Sequence, residues 1–163
     1  MYPTDLTVAA VVQHNSRFLL VEEHAMGLVV LNQPGGRIES GEAPEQAVMR
    51  EVLEETGCAI ACDDMIGVYL WIQPQTRQQF LRIVYAATFV SCDQSLPFDD
   101  SILSRKWLTR AELEARRKNM RSPAVLRCIE DFDNGRRESD KLFAGMLPLQ
   151  NNVHRVLARA DLV

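Results

Sequence analysis

Residues 36–58 read GRIESGEAPEQAVMREVLEETGC, and this stretch sets the expectation for the rest of the chain. Gly41 and Pro44 interrupt the chain ahead of a run of good helix formers, and Gly57 stands where a helix commonly ends in the left-handed conformation. The spacing predicts one helix over 43–56. On it Glu51, Glu54 and Glu55 share a side, because they lie three and four positions apart. Ala47, Val48 and Val52 form the opposite, apolar side, suited to a core.

Like charges at these spacings cost an isolated helix about 0.2–0.5 kcal/mol per pair, and acidic groups near a helix C-terminus are opposed by the macrodipole. Arg50 reaches Glu54 across one turn, but neither Glu51 nor Glu55 has a Lys or Arg three or four positions away on the helix. For glutamates alone, a solvated acidic face is the plain reading. A divalent cation is the alternative that satisfies the surplus. An all-oxygen carboxylate site suits Mg2+, or Mn2+ in its place, rather than zinc.

The full spacing is Gly36, five residues, Glu42, seven residues, then Arg50-Glu51-Val52-Leu53-Glu54-Glu55-Thr56-Gly57-Cys58. It resembles the Nudix box of the MutT-like Nudix hydrolases, with every fixed position filled. Cys58 stands at the final apolar site, where a small buried thiol behaves much like an aliphatic side chain. The runs TVAAVV, RFLLVEE, LNQPGGRIE, WIQP, FLRIVY and MRSPAVLRCIE are further similar to the bacterial NudJ-like phosphatase subgroup, over roughly 7–137.

That resemblance implies an α+β fold, an α/β/α sandwich with a mixed sheet and a loop-helix-loop at the box. It implies Mg2+-dependent hydrolysis of phosphoric anhydride bonds in nucleoside di- and triphosphates and in small pyrophosphates, with thiamine pyrophosphate and hydroxymethylpyrimidine pyrophosphate among them. By the same resemblance Glu51, Glu54, Glu55 and the backbone carbonyl of Gly35 hold metal. Glu42 braces the loop or holds metal through water, Glu54 or Glu51 is the general base, and Arg50 orients Glu54. Many relatives carry an extra acidic residue ahead of a tryptophan-bearing strand. Ser101 stands at the usual position here, and Asp100 is the substitute.

Two other readings stay open. A housecleaning nucleoside triphosphate pyrophosphohydrolase differs in releasing pyrophosphate. A non-catalytic Nudix-fold ligand sensor keeps the architecture without the chemistry, and the complete glutamate set argues against it.

Composition agrees with one globular domain: 163 residues, 47% hydrophobic and 25% charged, give enough material for a sizeable core. A net charge of -4 leaves no electrostatic footprint for long nucleic acid or an anionic membrane surface. No segment approaches the roughly 20 apolar residues of a membrane span, and cytoplasm is the expected location. The partner expected is a small nucleotide or pyrophosphate, with a monomer favoured. Cys58, Cys62, Cys92 and Cys128 include no CxxC pair, so a reduced compartment and packing roles are expected.

Along the chain, 7–13 and 17–22 read as strands of a hairpin around His14-Asn15-Ser16, and 28–32 as a short strand leading into Gln33-Pro34-Gly35-Gly36. Strands are expected over 59–62, 65–72, 79–90 and 102–108. Arg82, the single charge among apolar neighbours, either leaves the core to meet an anion, a phosphate contact, or is an edge arginine with a packed stem and a solvated head. Trp71 either stacks on a base or heteroaromatic ring or belongs to the core or rim. Thr109 and Glu112 form a capping box for a helix over 110–118, and Ser122-Pro123 opens another reaching 132. The domain is expected over 1–138, with a partly ordered tail over 139–163.

Overall fold

The computed structural model describes residues 4–139, so the tail expected over 139–163 lies, past Ser139, outside the described residues. In chain order the elements are β1 (Thr4–His14), β2 (Arg17–Ala25), β3 (Leu28–Asn32), α1 (Pro44–Thr56), β4 (Cys58–Ile72), β5 (Gln79–Cys92) and β6 (Ile102–Thr109). Helix α2 (Arg110–Ala115), a 3-10 turn at Arg117–Asn119 and helix α3 (Pro123–Asp133) follow.

The first hairpin closes as its sequence requires. Asn15 and Ser16 take φ of 49° and 58°, a left-handed pair whose twist matches that of the flanking strands. Only Gln13↔Phe18 and His14↔Arg17 pair across it. Beyond them the strands part: β1 runs parallel to β5, while β2 gives one edge to β6 and the other to β3. This parting leaves β1 an edge on which the loop after β3 is laid. The Val8 N–H donates to the Gly36 carbonyl at 2.9 Å, the Ala10 N–H to that of Pro34 at 3.1 Å, and the Ile38 N–H to that of Leu6 at 3.3 Å. Gly35, at φ 155°, lies so close to β1 that a Cβ there would overlap the Val8 and Ala9 backbone.

Helix α1 starts after Ala43, whose N–H is capped by the Gln46 side chain at 3.2 Å, and ends at Gly57 with φ 68°. Its Ala47, Val48 and Val52 are fully buried against Val8, Ala10, Val12, Ile83 and Met65 of the sheet. On the other face Val11, Phe18, Leu20, Ile66 and Val84 pack under Leu113 of α2 and Val125, Leu126 and Ile129 of α3. Helices therefore cover both sides of a mixed sheet, which is the expected α+β sandwich. No helix among the described residues is long and apolar enough to cross a membrane.

Three expectations are corrected. The strands at 59–62 and 65–72 are one strand, β4, bent by register shifts between Cys62 and Gly67 as it follows β5; Asp63 and Asp64 interrupt the apolar pattern there without breaking the pairing. The helix over 110–118 stops at Ala115 and tightens into the 3-10 turn, although the Thr109–Glu112 capping box forms as read. The cysteines are not all free packing thiols. Antiparallel register sets Cys58 directly opposite Cys92, and the two are joined as a disulfide, leaving Cys62 and Cys128 free.

This crosslink closes a loop with a sequence separation of 34 residues. Its reduction should cost about 2–4 kcal/mol of stability. Urea unfolding with and without dithiothreitol measures this, and alkylation should count two thiols in the oxidised protein, Cys62 and Cys128.

Candidate active site

Glu51 and Glu54 of α1, and Glu42 ahead of it, converge on Arg50. Its Nε and Nη2 donate to the two oxygens of Glu42 at 2.8 and 2.9 Å, a fork-to-fork pair between helix and preceding loop. Its Nη1 donates to Glu51 at 2.8 Å and to Glu54 at 3.0 Å, and Nη2 also reaches the Arg37 carbonyl at 3.1 Å. Hydrogen bonding to Glu42 is the main reason the guanidinium pKa rises, and the same bond holds the Glu42 carboxyl below its usual value. The expected bracing of the loop by Glu42 and the hold of Arg50 on Glu54 are both present. The contact to Glu51 runs between sequence neighbours, a geometry that helical spacing rules do not list.

The three box glutamates differ in surroundings. Glu54 is exposed at 44% of its side-chain surface and Glu51 is largely covered at 12%. Glu55 is buried and accepts the Gly35 N–H at 2.8 Å. Burial raises the Glu51 pKa against the opposing pull of Arg50, and burial pushes Glu55 up to about 8. Gly36 is needed by the same packing, because a Cβ there would run into the Glu51 carboxylate. The carbonyls flanking Gly35, those of Pro34 and Gly36, accept from the Ala10 and Val8 N–H groups of β1.

Among the described residues no three acidic, His or Cys side chains stand close enough to hold a metal ion as they are. Arg50 sits between Glu51 and Glu54, and Glu55 is turned onto the loop. The donor chemistry nevertheless fits a hard divalent cation: three carboxylates meet one arginine, Glu55 is a fourth on the adjoining loop, and two of the four, Glu51 and Glu55, are disfavoured as anions by burial. Asp100 is exposed in the turn before β6, and the charge of the neighbouring Asp99 adds a minor part to the rise of the Glu51 pKa.

Beside the box loop opens a cavity of about 190 Å³, lined in part by Gly35, Gly36, Trp71, Phe80 and Arg82. Trp71 and Phe80, cross-strand partners on β4 and β5, stack with centroids 5.5 Å apart and planes at 25°. Arg82 lies partly buried at the cavity lining and donates through Nη1 to Asn32 at 3.0 Å; desolvation lowers its pKa. Both residues singled out for substrate thus border one cavity next to the box. Phe80, Asn32, Glu23 and Arg121 border it too and were not singled out. For Phe80 the pairing register with Trp71 was the available signal; the others are brought in from strands and a loop with no motif of their own.

Comparison with known proteins bears on this site directly. Residues 3–127 match the NUDIX domain. The chain belongs to the Nudix family. It is 34% identical over 137 residues to the phosphatase NudJ of Escherichia coli K12, covering 84% of this chain and 88% of that protein. Among solved structures a NUDIX hydrolase from Nitrosomonas europaea superposes with a TM-score of 0.82 at 36% identity, over 86% of this chain and 95% of that one. A MutT protein from Methanosarcina mazei shares the fold at TM-score 0.65 and 24% identity, over 84% of this chain and 98% of that one. This Nudix protein is accordingly a hydrolase acting on phosphoric anhydride bonds, in a family that works with divalent metals.

The raised Glu55 pKa has a definite sign for stability. Between the ordinary carboxylate value of 4.5 and about 8 the folded chain keeps a proton that the unfolded chain has released. In EDTA, the stability contributed by this group should fall as pH rises through that window and level off above it. Melting temperatures at pH 5.5, 7 and 8.5 test this, with Glu55→Gln expected to flatten the slope. Gly36→Ala should displace Glu51 and reduce turnover by at least tenfold, read by steady-state kinetics.

Proposed function

We propose that this protein is a Mg2+-dependent phosphohydrolase of nucleoside di- and triphosphates and small pyrophosphates such as thiamine pyrophosphate or hydroxymethylpyrimidine pyrophosphate, releasing orthophosphate. One observation carries the reading. A complete Nudix carboxylate set, with Glu42, Glu51 and Glu54 held by Arg50 and Glu55 on the Gly35 N–H, stands beside a loop whose Gly35 and Gly36 line a cavity that also has stacked aromatics and the Arg82 guanidinium. The relatives named phosphatase NudJ favour orthophosphate over pyrophosphate as the product.

In this reading Glu51, Glu54, Glu55 and the Gly35 carbonyl hold Mg2+, with Glu42 and Asp100 as outer candidates. When bound, the cation neutralises phosphate charge and acidifies water. Glu54 or Glu51 takes the proton of the attacking water. Glu54 has the more open position for that work and Glu51 the raised pKa, and Arg50 orients both. Arg82 meets a phosphate oxygen. Trp71, backed by Phe80, stacks on the substrate ring.

The test is a panel of GDP, GTP, dATP, thiamine pyrophosphate and ADP-ribose with Mg2+, separating orthophosphate from pyrophosphate, with EDTA blanks. Orthophosphate from the first four is expected; pyrophosphate from the triphosphates would overturn the assignment of product. Glu54→Gln and Glu55→Gln should each lose about 10²–10³-fold or more in kcat while staying folded. Arg82→Ala should mainly raise KM.

A further inference from the structure

The cavity that Arg82 lines carries a second cation, Arg121. Arg121 is fixed at its backbone, where its N–H donates to the Leu31 carbonyl at 2.8 Å, and at its side chain, where Nε pairs with Glu23 Oε1 at 3.4 Å. The same Glu23 oxygen accepts from Asn32 Nδ2 at 3.1 Å, and Asn32 Oδ1 accepts from Arg82 Nη1 at 3.0 Å. Glu23 and Asn32 are therefore a spacer that sets two guanidinium groups side by side on one wall.

Neither fork is used up. A guanidinium has five N–H donors and no acceptor. The Asn32 bond is the only one that the Arg82 guanidinium makes among the described residues, and the side chain lies partly buried at the cavity lining. Arg121 commits its Nε and lines the same cavity. The remaining N–H donors of both forks are open to an acceptor-rich anion that enters the cavity. The other acidic groups nearby are occupied: Asp5 accepts from Arg37 at 2.7 Å and from Gln78 at 2.6 Å, and Glu55 is turned onto the Gly35 N–H. Two arginines against Glu23 leave one net positive charge on this wall.

We propose that Arg121 and Arg82 form a clamp for the terminal, unesterified phosphate of the substrate, with Glu23 as a positioning residue. The clamp rests on the phosphohydrolase reading and sharpens it. A terminal phosphate offers three free oxygens and up to two charges to two planar forks, whereas an internal phosphate of a capped pyrophosphate offers two oxygens and one charge. The site therefore selects substrates that end in phosphate over those capped on both sides.

The test begins without metal, so that it does not depend on turnover. Inorganic pyrophosphate is titrated calorimetrically in EDTA into the wild type, Arg121→Gln, Arg82→Gln and Arg117→Ala, each checked for folding by its circular dichroism melt. The two clamp variants should lose about ten- to a hundredfold in affinity, the worth of one or two charge-assisted hydrogen bonds. Arg117→Ala, at an ion pair with Glu114 outside the cavity, should bind as the wild type does. Arg121→Lys, which keeps the charge and loses the fork, should fall between wild type and Arg121→Gln and serves if the latter does not fold. In turnover, Arg121→Gln should raise KM for GDP with little change in kcat. Glu23→Gln should raise KM for GDP severalfold, again without a kcat effect.

Wild type that binds no pyrophosphate in EDTA, or Arg121→Gln that binds it undiminished, overturns the clamp. Loss of binding in Arg121→Gln, with no phosphate compound turned over by the wild type, keeps the clamp and removes the phosphatase reading. Turnover of GDP with binding unaltered in Arg121→Gln removes the clamp alone.

Discussion

A single guanidinium, that of Arg50, makes the acidic side of α1 compatible with a folded chain. Without it Glu42, Glu51 and Glu54 would face one another across a loop and a helix turn, with the helix dipole adding to the repulsion. With it the loop is tied to the helix at Glu42 and to the Arg37 backbone, and two of the box carboxylates are aimed from a common donor. Glu55 escapes this arrangement. It accepts instead a backbone N–H of the loop, which offsets only part of its burial and leaves its pKa raised.

The loop's position is in turn set by β1. Because the first hairpin pairs only at its tip, β1 is free to accept residues 34–38 along one edge while it pairs with β5 along the other. Two glycines make the approach feasible, Gly35 against the β1 backbone and Gly36 beneath Glu51. Strand pairing, glycine placement and carboxylate geometry are thus one linked arrangement, with the substrate cavity opening at its border.

The parts governed by short-range rules were readable in advance. The box helix, its Gly57 end, the hairpin turn and the Thr109–Glu112 cap all follow from residues within a few positions of each other, and the box motif located the carboxylates. Arg82 and Trp71 were found as local exceptions, a charge in an apolar run and an indole at a strand end. What stayed hidden depended on tertiary register. Cys58 meets Cys92 only because β4 and β5 align there; Asp63 and Asp64 looked like a break because the bend at that point is absorbed by register shifts. Glu23, Asn32 and Arg121 come from β2, β3 and the turn before α3, and nothing in the spacing of such residues says that they share a wall.

The parallel pairing of β1 with β5 joins Thr4 to Gln79 and Val12 to Ala87, partners far apart in the chain. Closing so long a loop is entropically unfavourable and slow relative to local contacts, so α1 and the hairpins can form before the strand order is complete. The box loop, however, rests on β1. Hydrolytic competence should consequently depend on the most non-local pairing of the chain and not on the local elements that carry the box residues.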